Sequence, residues 1–325
     1  MLFQYKLVQK KIEENLQLLP LSGHPVELYE PLEYILEIGG KRLRPLLVLL
    51  GCYLYDEQYE KALKPALAVE LFHNFTLMHD DIMDQAPLRR GRKTVHEKWS
   101  ANVAILSGDV MLVKAYELLL NVDKNILHSV IEKFNQCACE VCEGQQLDMN
   151  FETETHTSID EYLGMIELKT AVLLGFSLEL GAIIGGCDSE SARILREFGV
   201  NIGLGFQIKD DLLDVYGDQQ KFGKQVGGDI IANKKTFLLL KALDDADGNL
   251  LTDLRRWLLP NDVDPKEKVN SVKAIYDQLD IQQKAQNLAK SYFDKSFTLL
   301  ASLNIKPDRK LALRTFAENL INREK

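Results

Sequence analysis

Apolar residues recur at intervals of three and four through almost the whole chain, a period that admits one kind of regular structure. It runs through residues 66–78, 101–120, 126–147, 159–184, 192–215, 234–243, 269–288 and 291–303, and predicts a helix with one buried face in each. Residues 1–19 read as a further helix of mixed polar and apolar character, not as the apolar core of a secretory leader. Strict alternation, the mark of strands, is nearly absent. Breaks fall at 20–25, 39–40, 87–91, 185–186, 217–228 and 260–265, where glycine and proline punctuate the pattern. None of these is a long polar linker. The expectation is an all-α chain of ten or more helices, forming a single domain over residues 1–325.

Composition removes several function classes. With 39 basic and 48 acidic residues the net charge is −9, opposite to that of a general nucleic-acid binder. Hydrophobic residues make up 46% and charged residues 27%, which suits a globular protein and excludes disorder as the main state. The longest apolar run, 170–187, is broken by Glu179 and carries Gly175, Gly181, Gly185 and Gly186. It is near the lower length limit for crossing a bilayer, and reads as a buried central helix, so no transmembrane segment is expected. Five cysteines are an odd number and make no disulfide framework, which fits a reducing cytoplasm. Cys137, Cys139 and Cys142 lie in one helical stretch and face different ways. They cannot converge on one ion and are expected to be small core residues.

One short element occurs twice. His79-Asp80-Asp81-Ile82-Met83-Asp84 recurs in form as Lys209-Asp210-Asp211-Leu212-Leu213-Asp214, each near the C-terminal end of a long apolar helix. Spacings of three and four put each trio of carboxylates on one helical face. Like charges packed this closely destabilise a helix, and anions at its C-terminus oppose the macrodipole. Such a cluster is tolerated most easily when cations occupy it. Mg²⁺ takes one or two carboxylates, several waters and substrate phosphates, so two facing clusters could hold a diphosphate through Mg²⁺.

Basic residues accompany the acidic motifs. Lys41, Arg42 and Arg44 follow the Gly39-Gly40 break, and Arg89-Arg90-Gly91 follows the first motif. Lys224 and Lys234-Lys235 follow the second, and Lys169-Thr170 opens the apolar central helix. In a net-acidic chain, cations beside carboxylates point to a polyanionic ligand. Arginine grips phosphate through a planar fork, and lysine acts on it as a point charge.

The segments Gly39-Gly40-Lys41-Arg42-Leu43-Arg44-Pro45, DDIMD at 80–84, Arg89-Arg90, Lys169-Thr170, FQIKDD at 206–211, DDLLD at 210–214 and GKQVGGD at 223–229 together resemble the trans-isoprenyl diphosphate synthases, or polyprenyl synthetases, in that family's order. The resemblance runs from about Ile38 to Lys235. It implies an orthogonal helical bundle with a central cavity, a homodimer, and Mg²⁺, three per active site with Mn²⁺ as an alternative. It also implies that Asp80, Asp81, Asp84, Asp210, Asp211 and Asp214 are metal ligands, with Asp80, Asp84 and Asp210 the direct ones. Arg89, Lys169, Thr170, Gln207, Lys224 and Lys234 would contact the allylic diphosphate. Lys41, Arg44, His73 and Arg90 would hold isopentenyl diphosphate. Catalysis would fall to Asp80, Asp84, Asp210, Lys169 and Lys224.

The implied reaction is ionisation of an allylic diphosphate, attack by the double bond of isopentenyl diphosphate, and loss of a proton. Product length would depend on the residues before the first motif. Thr76 shares the face of Asp80 and is too small to block it, Phe75 lies five residues back, and Phe72 lies eight back, or about 12 Å along a helix. A floor at that depth suits a C20 or C15 product, with C30 or longer as the alternative. A terpene cyclase and a non-catalytic synthase subunit are the competing readings within the same fold, and a helical metal-buffer module is a third. The basic set Lys41, Arg44 and Arg90 argues against the cyclase and the buffer, and the six retained aspartates argue against the subunit.

Overall fold

A computed structural model describes residues 3–217, 227–259 and 264–321. In chain order the helices are α1 (Tyr5–Gln17), α2 (Val26–Glu37), α3 (Leu43–Tyr55), α4 (Leu63–Met83), α5 (Val95–Lys98), α6 (Ala101–Leu119), α7 (Lys124–Thr153), α8 (Ile159–Ile166), α9 (Val172–Gly185) and α10 (Ser189–Tyr216). They continue as α11 (Gly228–Ile231), α12 (Phe237–Asp245), α13 (Gly248–Leu258), α14 (Pro265–Gln278), α15 (Ile281–Ser302) and α16 (Pro307–Ile321). A short 3₁₀ turn, Tyr59–Ala62, precedes α4, and a π-helical turn, Glu167–Ala171, joins α8 to α9. The chain is all-α, as the apolar period predicts.

The described residues form two compact units. The first comprises Met1–Gln136, Phe176–Arg196 and Leu303–Leu313, and the second Cys137–Gly175, Glu197–Ser302 and Arg314–Lys325. In the first, α4 packs along α6 and also against α3. Helix α4 is buried nearly all round through residues such as Ala66, Val69, Leu71 and Phe72, as a core helix must be if its faces are apolar throughout. Gly181 in α9 allows α9 to lie against α3: a Cβ there would sit 2.0 Å from the Val48 carbonyl oxygen. In the second unit, α12 packs on α15 and α8, and α14 on α11 and α13. Starts are fixed by caps where the sequence supplies them. The Ser100 hydroxyl accepts from the Val103 N–H at 3.2 Å ahead of α6, and Ser158 with Glu161 forms a reciprocal capping box ahead of α8, satisfying N–H groups that have no partner within the helix.

The stretch Ile159–Gly185 is long and apolar enough to cross a membrane, but 67% of its most apolar window is buried inside the protein. This matches the expected core helix.

Four expectations need correction. The stretch expected as one helix over 269–288 is two, α14 and α15, broken at Leu279–Asp280, where Asp280 has φ +55°. No break occurs at 289–290. Residues 234–236 are not helical; α12 starts at Phe237 behind Thr236. A two-stranded hairpin, β1 (Leu88–Arg89) with β2 (Arg92–Lys93), falls where only a break was expected. Only Cys137 of the cysteine trio is buried, and Cys139 and Cys142 are exposed, because one helix face cannot hold positions two and five residues apart. All five cysteines are free thiols.

Candidate active site

The first aspartate cluster ends α4, with Asp84 as the C-cap. Its three carboxylates differ in environment. Asp81 is buried and gripped by Arg89, whose Nε lies 2.9 Å from both carboxylate oxygens and whose Nη2 lies 2.7 Å from Oδ1. Arg89 Nη2 also approaches Asp80 Oδ2 at 3.7 Å. Asp84 is exposed. The β1–β2 hairpin carries Arg89 into place. Its loop residues Arg90 and Gly91 have φ +52° and +77°, the pairing that a tight two-residue hairpin turn demands.

The hairpin also places Arg90. Its Nη1 would lie 2.8 Å from a Cβ at position 40, so Gly40 lets the guanidinium approach the backbone beside Lys41. Arg44 Nη1 donates to His73 Nε2 at 3.1 Å. Burial first, then Arg44, Arg90, Arg89 and Arg42, hold the His73 imidazole well below 6.5. His73 is therefore neutral at pH 7 and acts as an acceptor. Lys41 is exposed. The four residues expected to hold isopentenyl diphosphate thus lie in one unit, with a direct contact linking Arg44 to His73 and with Arg90 filling the space that a side chain at position 40 would take. The adjacent Arg89 and Arg90 join this cationic patch to the first acidic cluster.

The second cluster lies in the last two turns of α10 and repeats the arrangement. Asp211 is buried. The Tyr162 hydroxyl donates to its Oδ2, and Gln207 Nε2 donates to its Oδ1 at 3.3 Å. Burial foremost pushes Asp211 up to about 7, and Asp229 adds to the rise, while the Tyr162 and Gln207 hydrogen bonds and Lys234 oppose it. Asp214 Oδ2 accepts from the Asp229 backbone N–H at 3.0 Å. Asp210 is exposed. In both motifs, then, the middle aspartate is buried, while Asp84 and Asp210 are exposed to solvent. Lys234 is exposed, and its backbone N–H reaches the Asp229 carbonyl at 2.9 Å. Lys224 lies outside the described residues.

Lys169 and Thr170 sit in the π-helical turn Glu167–Ala171, a local widening that is frequent at functional sites. Lys169 Nζ pairs with Asp148 Oδ2 at 2.5 Å. Gly144 of α7 permits the approach, since a Cβ there would lie 2.2 Å from the Lys169 nitrogen.

Asp148, Tyr162 and Asp229 are functional candidates that the sequence reading did not single out. Only Asp229 carried a local signal, the Gly-Gly-Asp run beside the second motif.

Phe72 is 1% exposed. It packs edge-on to Phe134 with ring centroids 5.1 Å apart, and lies 5.7 Å from Phe75. Phe75 is half-buried and stacks edge-on to His79 at 4.7 Å. The Thr76 hydroxyl donates back to the His73 carbonyl at 2.8 Å.

Among the described residues, no three His, Cys, Asp or Glu side chains close into a cage that could hold a metal ion. The donor chemistry nonetheless fits a hard divalent cation. Mg²⁺ needs only one or two carboxylates from the protein, with waters and phosphate oxygens completing its shell, and Asp84 and Asp210 present such oxygens to solvent.

Residues 25–279 match the polyprenyl synthetase family. The chain is 43% identical over 243 residues to a geranylgeranyl pyrophosphate synthase from Geoglobus acetivorans, covering 74% of each chain. It is 36% identical over 310 residues to a geranylgeranyl diphosphate synthase from Methanosarcina mazei, covering 95% of this chain and 93% of that one. A crystal structure of a geranylgeranyl pyrophosphate synthase matches with a TM-score of 0.94 at 42% identity, over 99% of this chain and 100% of the other. With paired acidic clusters, a cationic patch beside the first, and this likeness over most of its length, the chain belongs to the polyprenyl synthetase family.

Proposed function

We propose that the chain is a prenyltransferase that condenses isopentenyl diphosphate head-to-tail with an allylic diphosphate, giving a trans-polyprenyl diphosphate of C20 length. One observation carries the reading. A single hairpin, through Arg89 and Arg90, joins an acidic cluster to a separate cationic patch. A reaction between two diphosphates needs two such subsites, whereas a terpene cyclase, with one diphosphate to ionise, needs only the first. The C20 length follows the two named relatives and the crystal structure.

Enzymes of this family use a divalent metal. Asp80, Asp84 and Asp210 would hold Mg²⁺ (three ions per site, replaceable by Mn²⁺), which would supply Lewis-acid neutralisation of the leaving diphosphate. Asp81 and Asp211 have the complementary task of fixing the helix ends, through Arg89 and Tyr162. Lys169, Lys224 and Lys234 donate to the allylic diphosphate with Arg89, Thr170 and Gln207. Preorganised cations of this kind stabilise charge where it develops, as the C–O bond ionises and negative charge gathers on the departing diphosphate. Lys41, Arg44 and Arg90 hold the second diphosphate, and neutral His73 orients Arg44. The isopentenyl double bond attacks the allylic cation, and the proton then lost passes to the diphosphate.

Helix α6 and its C-cap residue expose Leu106, Val113 and Leu120 at 57%, 57% and 60%. Seven-residue spacing puts them on one stripe, and a second copy of the chain covers it in this reading. Leu106→Asp with Val113→Asp is expected to shift the protein in sedimentation from a dimer to its 36.9 kDa monomer; an unchanged mass places the interface elsewhere. Five free thiols agree with residence in the reducing cytoplasm.

The functional test is product analysis with labelled isopentenyl diphosphate, Mg²⁺ and C5, C10 or C15 allylic primers. A C20 product is expected. Products of C30 or more would keep the reaction and overturn the length.

A further inference from the structure

We propose that Arg42 is a positioning residue for the isopentenyl diphosphate pocket, holding Lys41 and Arg44 in place through a buried ion pair with Glu70 that Glu13 of α1 completes. This deepens the functional reading above and rests on it. Within the run Lys41-Arg42-Leu43-Arg44, Arg42 is the cation that points inward: it is 4% exposed, while Lys41 is exposed. Its backbone adopts φ +48°, ψ +40° as the N-cap of α3, a left-handed conformation uncommon for a residue with a side chain. The surrounding contacts must therefore favour it.

Those contacts engage all three guanidinium nitrogens. Nη1 donates to Glu70 Oε1 at 2.6 Å, Nε to Glu13 Oε1 at 2.8 Å, and Nη2 to Glu13 Oε2 at 3.3 Å and to the Leu36 carbonyl at 2.8 Å. Glu70 is itself buried and also accepts from Asn74 Nδ2 at 3.2 Å. Glu70 stands three residues before His73 on α4, and His73 Nε2 accepts from Arg44 at 3.1 Å. The turn from Gly39 to Arg44 is therefore fastened to α4 at two points about one helical turn apart. Arg42 directs four of its five N–H donors to two carboxylates and the Leu36 carbonyl, and it is buried away from where a substrate would reach it. Its effect is to fix where Lys41 and Arg44 point. Its single positive charge also offsets part of the negative charge of Glu13 and Glu70, which would otherwise repel a diphosphate bound nearby. Lysine keeps the charge but cannot reproduce the planar fork.

The test measures kcat and both Michaelis constants in Arg42→Lys and in Glu13→Gln. Glu13 is 41% exposed on its side chain, so its variant leaves the core intact and carries the test if Arg42→Lys does not fold. We expect KM for isopentenyl diphosphate to rise about tenfold in Arg42→Lys and about threefold in Glu13→Gln, with KM for the allylic substrate within about twofold of the parent, the signature of lost binding at one subsite. Folded variants with unchanged isopentenyl KM, or with both KM values raised alike, would overturn the proposal. Absence of condensation by the unaltered protein would instead overturn the functional reading, and this inference with it.

Discussion

Replacing Asp80 or Asp210 by alanine is expected to lower kcat by at least about 10²- to 10³-fold, the scale of losing one preorganised electrostatic contact to a transition state, while the protein stays folded. The two halves of this expectation have separate causes. In the proposed function, activity falls because these carboxylates would hold divalent cations that neutralise the departing diphosphate. The fold survives because, without a cation, the clusters are an electrostatic burden: three carboxylates share one helical face at an end where the macrodipole is already negative. The middle aspartates should behave differently. Asp81→Ala strips the buried carboxylate from Arg89, and Asp211→Ala strips the acceptor from the buried Tyr162 hydroxyl, so both are expected to lose stability as well as activity. Thermal melts beside initial rates check the contrast. Near-normal rates in both Asp80→Ala and Asp210→Ala would refute the metal assignment.

Phe72 and Phe75 should separate just as clearly. Phe72 is 1% exposed and touches Phe134, which in turn packs on Tyr116 and Phe176 at 4.9 and 5.8 Å. Truncating a buried aromatic in such a cluster costs about 3–5 kcal/mol, so Phe72→Ala is expected to lower the urea midpoint strongly. Phe75 is half-buried, and its loss costs less. If Phe75 forms the floor of the chain-length pocket, Phe75→Ala lengthens the product by at least one five-carbon unit in a folded enzyme. An unchanged product in the Phe72→Ala, Phe75→Ala double variant would put the floor elsewhere.

What the sequence disclosed followed the range of the interactions involved. The helices were legible because one apolar face repeats every three to four residues, and the acidic motifs because three and four are also the spacings at which carboxylates meet. The hairpin was not legible: two-residue strands are too short for alternation to register, and only the Arg90-Gly91 turn hinted at it. The break at Asp280 escaped because apolar spacing continues across it while the backbone does not. The partners of the site residues were hidden for another reason. Tyr162 and Asp211 are 49 residues apart, and Asp148 and Lys169 are 21 apart, so folding alone brings them together. Arg42 was masked by its neighbours, since a run of basic residues does not reveal which of them turns inward. Glu70, its buried partner, lies within an apolar helical stretch where no local signal marks it as an ion-pair partner.

In the proposed function, one active site joins two diphosphate substrates. This is tested most directly by following inorganic diphosphate released in Mg²⁺ from an allylic primer, with and without isopentenyl diphosphate. Release is expected to require both substrates and to match, mole for mole, the five-carbon units incorporated. Rapid release from the primer alone, with no label incorporated, would contradict that function and point to a cyclase.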